Sequence, residues 1–143
     1  MRSVPDPSAA MRILAIDHGV ARAGYAISDP TGTIARPLGV IEPPKPQRVA
    51  ELVAEHGVDL VVVGLPVSLA GAEGTQAAKV CEFRDELAEI VDVPVETYDE
   101  RLTTRLAEGS VRAGATAPPD ALAAAHLLES YLNRRERARE WRG

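Results

Sequence analysis

The chain has 143 residues, of which 45% are hydrophobic and 26% charged, with 16 Lys and Arg against 21 Asp and Glu for a formal net charge of −5. That is one domain's length with ordinary globular composition, which excludes collagen-like, disordered and membrane-spanning classes. An acidic balance also argues against a protein that binds nucleic acid through bulk charge alone.

At this size folding buries roughly 68–70% of the surface exposed by the unfolded chain, so an apolar core suffices without disulfides or structural zinc. The single cysteine, Cys81, can form no internal disulfide, and no CxxC motif or Cys/His cluster is present to bind zinc. A reducing compartment, the cytoplasm, is the expectation. Residues 1–10 (MRSVPDPSAA) contain two prolines, an aspartate and no apolar run, so they read as a disordered leader rather than a signal peptide or anchor. Residues 11–143 form the single folded domain, with Met11 a candidate start.

Arg12 to Asp17 is a short apolar run ending in an acid and followed by a loop with Gly19, which predicts a strand and a turn. Ala23 to Ser28 is a second strand. The Asp29-Pro30-Thr31-Gly32 that follows has Asp, Pro and Gly where a type I turn wants them. A third strand, about Thr33 to Ile41, should then lie antiparallel to the second, until Pro43-Pro44-Lys45-Pro46 stops the sheet.

From there the hydrophobic period changes from two to 3.6. Val49, Leu52, Val53 and His56 mark one helical face, closed by Gly57. Val58 to Val63 is a continuous apolar run that suits a central strand covered on both faces. Ala77, Val80, Cys81, Arg84, Leu87, Ala88 and Val91 define a longer helix. Val95 to Tyr98 is the fifth strand, and a short helix is expected over 103–113. The final helix begins near Pro118-Pro119-Asp120, with Leu122, Ala125, Leu128, Tyr131 and Leu132 as its stripe. The order β-β-β-α-β-α-β-α-α predicts an α/β fold: a five-stranded mixed sheet, antiparallel at one side and parallel elsewhere, flanked by helices.

In such a sheet the carboxyl ends of the parallel strands form a rim whose loops host chemistry. Asp17, the pair Asp99 and Glu100, and Asp120 come from separate segments and are each placed to reach that rim. Two bare carboxylates 4 Å apart repel by about 4 kcal/mol at an effective dielectric of 20, so a cation must sit among any that converge. Hard oxygen donors of this kind suit Mg²⁺ or Mn²⁺, and two such ions activate water and stabilise a leaving oxygen in phosphodiester hydrolysis. Each acid also has a plain structural reading: a turn former for Asp17, a self-pairing turn for Asp99-Glu100-Arg101, and a helix cap for Asp120.

Ile13-Leu-Ala-Ile-Asp17-His-Gly19 with Arg22, Gly24 and Ser28-Asp29, then Val62-Val-Gly64-Leu65-Pro66, Gly71 with Glu73-Gly74, Asp99-Glu100-Arg101-Leu102-Thr103-Thr104, and Asp120 ahead of Ala123-Ala124 form an ordered pattern. By these residues the chain resembles the YqgF/RuvX family of pre-16S rRNA nucleases and Holliday junction resolvase-like proteins, over Met11 to about Asn133. The resemblance implies an RNase H-like fold and a metal-dependent nuclease whose catalytic, metal-holding acids are Asp17, Glu100 and Asp120. It implies nucleic acid as partner, either pre-rRNA or branched DNA, with hydrolysis leaving 5′-phosphate and 3′-hydroxyl ends. Arg22 and Arg101 are candidates to hold phosphates, because a guanidinium matches a phosphate bidentately. Gly64 and Gly71 either let a nucleic-acid backbone approach or serve turns. Thr103 or Thr104 is expected to cap the short helix. The loop after Pro66 departs from the family pattern, reading Val67-Ser68-Leu69-Ala70 where polar residues are common. His18, adjacent to Asp17 on a strand end, should point to the other face and is not expected to be a ligand.

Competing expectations come from other classes. A non-catalytic adaptor would keep the fold without turnover; an actin-like ATPase would need two such domains; a receiver domain has no opening three-strand meander. A junction resolvase requires a homodimer for two symmetric cuts, whereas trimming an RNA end needs only a monomer. With one Trp, three Tyr and one Phe, recognition should lean on backbone shape rather than base stacking.

Overall fold

The computed structural model describes residues 11–66, 73–102 and 117–142. The expected leader (1–10), the loop with Gly71 and the short helix over 103–113, with Thr103 and Thr104, lie outside the described residues. The elements are β1 (Ile13–His18), β2 (Ala23–Ser28), β3 (Ala35–Ile41), α1 (Pro46–His56), β4 (Leu60–Leu65), α2 (Glu73–Ile90), β5 (Val95–Asp99), a 3₁₀ turn (Glu100–Leu102) and α3 (Pro119–Arg142). The strands form one sheet in the order β3-β2-β1-β4-β5. The β1–β2 and β2–β3 pairs are antiparallel, and the β1–β4 and β4–β5 pairs are parallel.

The apolar runs in β1 and β4 are buried on both faces, as a central position demands. Leu14, Ile16, Val61 and Val63 point into a core with Val49 and Leu52 of α1 and Val80, Phe83 and Leu87 of α2. The alternate residues Ile13, Ala15, Leu60 and Val62 pack against Ala124, Ala125, Leu127, Leu128 and Leu132 of α3. One sheet face therefore carries two helices and the other carries α3. Among the described residues no helix is long and apolar enough to cross a membrane.

Several boundaries differ from the sequence expectation for identifiable reasons. The turn at Asp29 forms as predicted, with the Gly32 N–H donating to the Asp29 carbonyl at 2.9 Å. The Asp29 carboxylate also accepts the N–H groups of Thr33 and Ile34, each at 2.8 Å. Those groups are thereby withdrawn from the sheet, and β3 begins at Ala35 rather than Thr33.

Strand β4 runs two residues later than the apolar run suggests. Gly57 is left-handed (φ 63°, ψ 46°) and the Val58 N–H still bonds back to Val53 at 3.1 Å, so Val58 belongs to the end of α1. The far end extends because Gly64 and Leu65 pair with Tyr98 and Asp99 of β5. In α2 the buried stripe is Val80, Phe83 and Leu87, while Cys81 and Arg84 are half-buried. In α3, Ala121 and Ala124 are buried and Leu122 is half-buried.

Candidate active site

The pleat of β1 decides which way its terminal residues face. Asp17 follows Ile13 and Ala15 onto the α3 face, whereas His18 follows Leu14 and Ile16 onto the other. The His18 ring accordingly stacks on Phe83 of α2, centroids 4.7 Å apart, and burial lowers its basicity. Its ring is on the face opposite the α3-face acids, as its strand parity predicts, and it meets Asp17 only through charge.

The same parity sorts the acids of β5. Glu96 accepts a hydrogen bond from the Tyr131 hydroxyl of α3 at 2.9 Å, and the Tyr98 hydroxyl meets Ser130 of α3 at 2.7 Å. Glu100 continues the alternation and hydrogen-bonds Asp17. Asp99 turns the other way and holds Arg101 through the backbone N–H at 2.8 Å and through Nη2 at 2.9 Å. The self-pairing turn expected at 99–101 thus exists, but Glu100 is not part of it.

Asp120 enters from the first turn of α3, seated on β2 at Gly24, the residue paired with Asp17 across the strands. A Cβ at Gly24 would overlap the Asp120 carbonyl group and stand 2.9 Å from the Ala121 nitrogen. On the opposite side of Asp17, Gly64 performs the same service for Glu100: a Cβ there would meet Glu100 Oε2 at 2.8 Å and Leu127 Cδ2 at 3.0 Å. Gly64 therefore lies inside a strand rather than a turn, and its bare face is taken by the Glu100 side chain rather than left for an approaching backbone. Both strands flanking Asp17 are glycine where the acids must pass.

Electrostatics follow from this crowding. Burial raises the Asp17 carboxyl above its ordinary value, the hydrogen bond from Glu100 offsets part of that rise, and Asp120 adds to it. Glu100 is pushed up to about 7 by burial, by the charge of Asp17 and by donating its proton to Asp17. Two carboxyl groups sharing one proton is the expected outcome when neither can be solvated freely. Asp120 has a different counter-charge, Arg22 Nε, 2.5 Å from its Oδ2. Arg22 is presented by the β1–β2 hairpin, closed by the Gly19 N–H on the Arg22 carbonyl at 2.9 Å.

The structure thus brings Asp17 and Glu100 into contact, sets Asp120 and Arg22 at the same rim, and directs Arg101 to Asp99. Sequence reasoning missed Ser130, whose Oγ donates to the Leu102 carbonyl at 2.9 Å while accepting from Tyr98. That relay fastens the turn carrying Glu100 to the helix carrying Asp120. No local signal marks Ser130, since a serine in the middle of a helix is unremarkable in isolation. Among the described residues no group of three or more His, Cys, Asp or Glu side chains is placed to hold a metal ion, and Asp120 is paired with Arg22. The donor set nonetheless fits a hard divalent cation: two carboxylates in contact hold a proton where a cation would equally neutralise them, and a third stands alongside.

A mixed sheet in this strand order with carboxylates at one rim places the protein among RNase H-like folds. RuvC of Thermus thermophilus, solved in complex with a Holliday junction substrate, superposes with a TM-score of 0.63 over 88% of this chain and 96% of that chain at 17% identity. A second Thermus thermophilus RuvC structure gives 0.57 over 87% and 96%. These likenesses are of fold. Residues 11–134 match the sequence model of the RuvX family, described as Holliday junction resolvase, and the chain belongs to that family. Proteins of Chloroflexus aggregans and Desulforudis audaxviator, both bearing the name "Putative pre-16S rRNA nuclease", are 44% and 40% identical to it. The alignments cover 86% and 90% of this chain and 94% and 99% of those proteins.

Proposed function

We propose that this protein is a divalent-metal-dependent nuclease that hydrolyses phosphodiester bonds of RNA, acting in the cytoplasm on the 5′ end of pre-16S rRNA. The observation that carries the reading is the contact between the carboxyl groups of Asp17 and Glu100, with Asp120 at the same rim, on an RNase H-like sheet. Family membership and the names of the relatives support nuclease activity and the choice of rRNA precursor.

In this reading Asp17, Glu100 and Asp120 would hold two Mg²⁺ or Mn²⁺ ions, which would supply water activation and charge stabilisation of the leaving oxygen. The chain's own residues supply placement. The α3 face of β1 and β5 aims Asp17 and Glu100 at each other, and Gly24 and Gly64 leave room for this approach. Arg22 brings a guanidinium to the rim, where it offers paired donors to a phosphate. Two bound divalent ions would bring the formal charge from −5 to about −1, which removes most of the repulsion between an acidic protein and a polyanion.

The test incubates the protein with end-labelled pre-16S rRNA fragments and with a synthetic four-way DNA junction, each with Mg²⁺, with Mn²⁺ and with chelator. The expected result is metal-dependent cleavage of the rRNA fragment by a monomer, lost in Asp17→Asn, a nearly isosteric change. Cleavage of the junction alone, by a dimer, would favour the resolvase activity that the family's description names. Identical products from wild type and Asp17→Asn, or indifference to chelator, would refute the nuclease reading.

A further inference from the structure

A cleft of about 370 Å³ lies at the other end of the sheet, lined by Arg12, Ile27, Ser28, Asp29, Pro30, Ile34 and Arg36. Its size falls within the range of about 300–1,000 Å³ typical of small-ligand sites. Arg12 precedes Leu14 by two residues and shares its face; Arg36 pairs with Ile27, which pairs with Leu14. The cleft is therefore on the face opposite α3, and Arg12 stands five residues before Asp17, about 16 Å along the strand. It is separate from the acidic rim in both face and end.

Two arginines line it. Arg22, Arg48, Arg84 and Arg101 each hold a carboxylate. Arg12 and Arg36 make no ion pair among the described residues, although the chain as a whole is acidic. The two acids nearby are both engaged in hydrogen bonds: the oxygens of Asp29, in the lining, accept from the Thr33 and Ile34 N–H groups and from the Thr31 hydroxyl, and Asp59 accepts the Arg12 backbone N–H at 2.9 Å. Burial would raise the Asp29 carboxyl, but those hydrogen bonds bring it down to about 2, so it stays ionised within its turn. Ile27, Pro30 and Ile34 add apolar surface to the same lining. Two planar cations beside an apolar wall fit a ligand with a phosphate at one end and a sugar or base at the other.

We propose that this cleft is a binding site for a phosphate ester, taken as a free nucleotide or as a backbone phosphate of a nucleic-acid strand, with Arg12 and Arg36 holding the anion. The site does not depend on the nuclease reading, because binding there needs none of the rim acids.

The experiment titrates the full chain, in chelator so that no cleavage intervenes, with inorganic phosphate, adenosine monophosphate and a short single-stranded RNA. Amide chemical shifts report the place of binding and calorimetry reports affinity. Expected are shifts at Arg12, Ile27 and residues 34–36, and a loss of affinity of about tenfold or more in Arg12→Gln/Arg36→Gln, since charge-assisted bonds to phosphate are lost. The unfolding midpoint of that variant should match wild type, and Asp17→Asn should bind as wild type does. Mononucleotide binding identifies a free ligand, and binding of RNA without mononucleotide identifies a strand phosphate; either supports the site. Shifts confined to the acidic rim, equal affinity in the double variant, or binding of none of the three probes would overturn it.

Discussion

Gly24→Ala isolates the seat of α3 from the chemistry of the acids, since it adds one methyl group and alters no charge. That methyl would overlap the Asp120 carbonyl and stand 2.9 Å from the Ala121 nitrogen. Ordinary contact begins near 3.4 Å, so the nitrogen must retreat by about 0.5 Å and the carbonyl by more, with the backbone of the first turn of α3 moving as a unit. Overpacking of this kind costs typically 1–3 kcal/mol of stability. A displacement on the order of 1 Å at a reacting centre costs about 10²-fold in rate. Turnover on the rRNA fragment should therefore fall by about two orders of magnitude while the far-ultraviolet circular dichroism spectrum is kept. Gly57→Ala is the control: its left-handed φ of 63° makes alanine strained there, yet no atom lies within 4 Å, so stability falls and turnover does not. Wild-type turnover in Gly24→Ala, with only a stability loss, would refute the claim that the seating of α3 on β2 places Asp120.

Three further outcomes are expected. With chelator present, stability should rise as pH falls from about 7 toward 4.5, because Glu100, raised from its ordinary 4.5 to about 7, makes the folded state bind more protons than the unfolded one in that window. Glu100→Gln should flatten that slope in denaturant titrations; an unchanged slope would mean that the Asp17–Glu100 pair does not share a proton. Ser130→Ala leaves the Leu102 carbonyl and the Tyr98 hydroxyl without their partner, so it should cost about 1–3 kcal/mol and slow cleavage, whereas an unaffected rate would show that the relay does not position Glu100. Glu100→Gln and Asp120→Asn should each abolish cleavage as Asp17→Asn does, read in the same gel assay.

What could be read from the sequence was local. The parity of β1, the Asp29 turn and the glycine cap of α1 depend on near neighbours in the chain, and each appears where expected. The facing of Asp17 at the end of β1 was legible for the same reason, as was the turn of His18 to the other face. The end of β4 was not, because its last two residues are strand only through pairing with β5. Phe83 displaced Cys81 and Arg84 from the buried stripe of α2 because several spacings satisfy a helical period and the opposing sheet selects one. The family resemblance singled out Glu100, but the residues by themselves left Asp99 and Glu100 inseparable until the pleat assigned them to opposite faces. The roles of Gly24, Gly64 and Ser130 were invisible because each is defined by a group distant in sequence: Asp120, Glu100 and the Leu102 carbonyl.

Helix α3 follows all five strands in the chain, yet it supplies one acid and, through Ser130, braces the turn of another. Until α3 is made, Ile13, Ala15, Leu60 and Val62 lack the helix that covers them and the Leu102 carbonyl lacks Ser130. On the proposed reading, competence to cut would come only after residues 119 onward have been made and α3 has docked on the sheet.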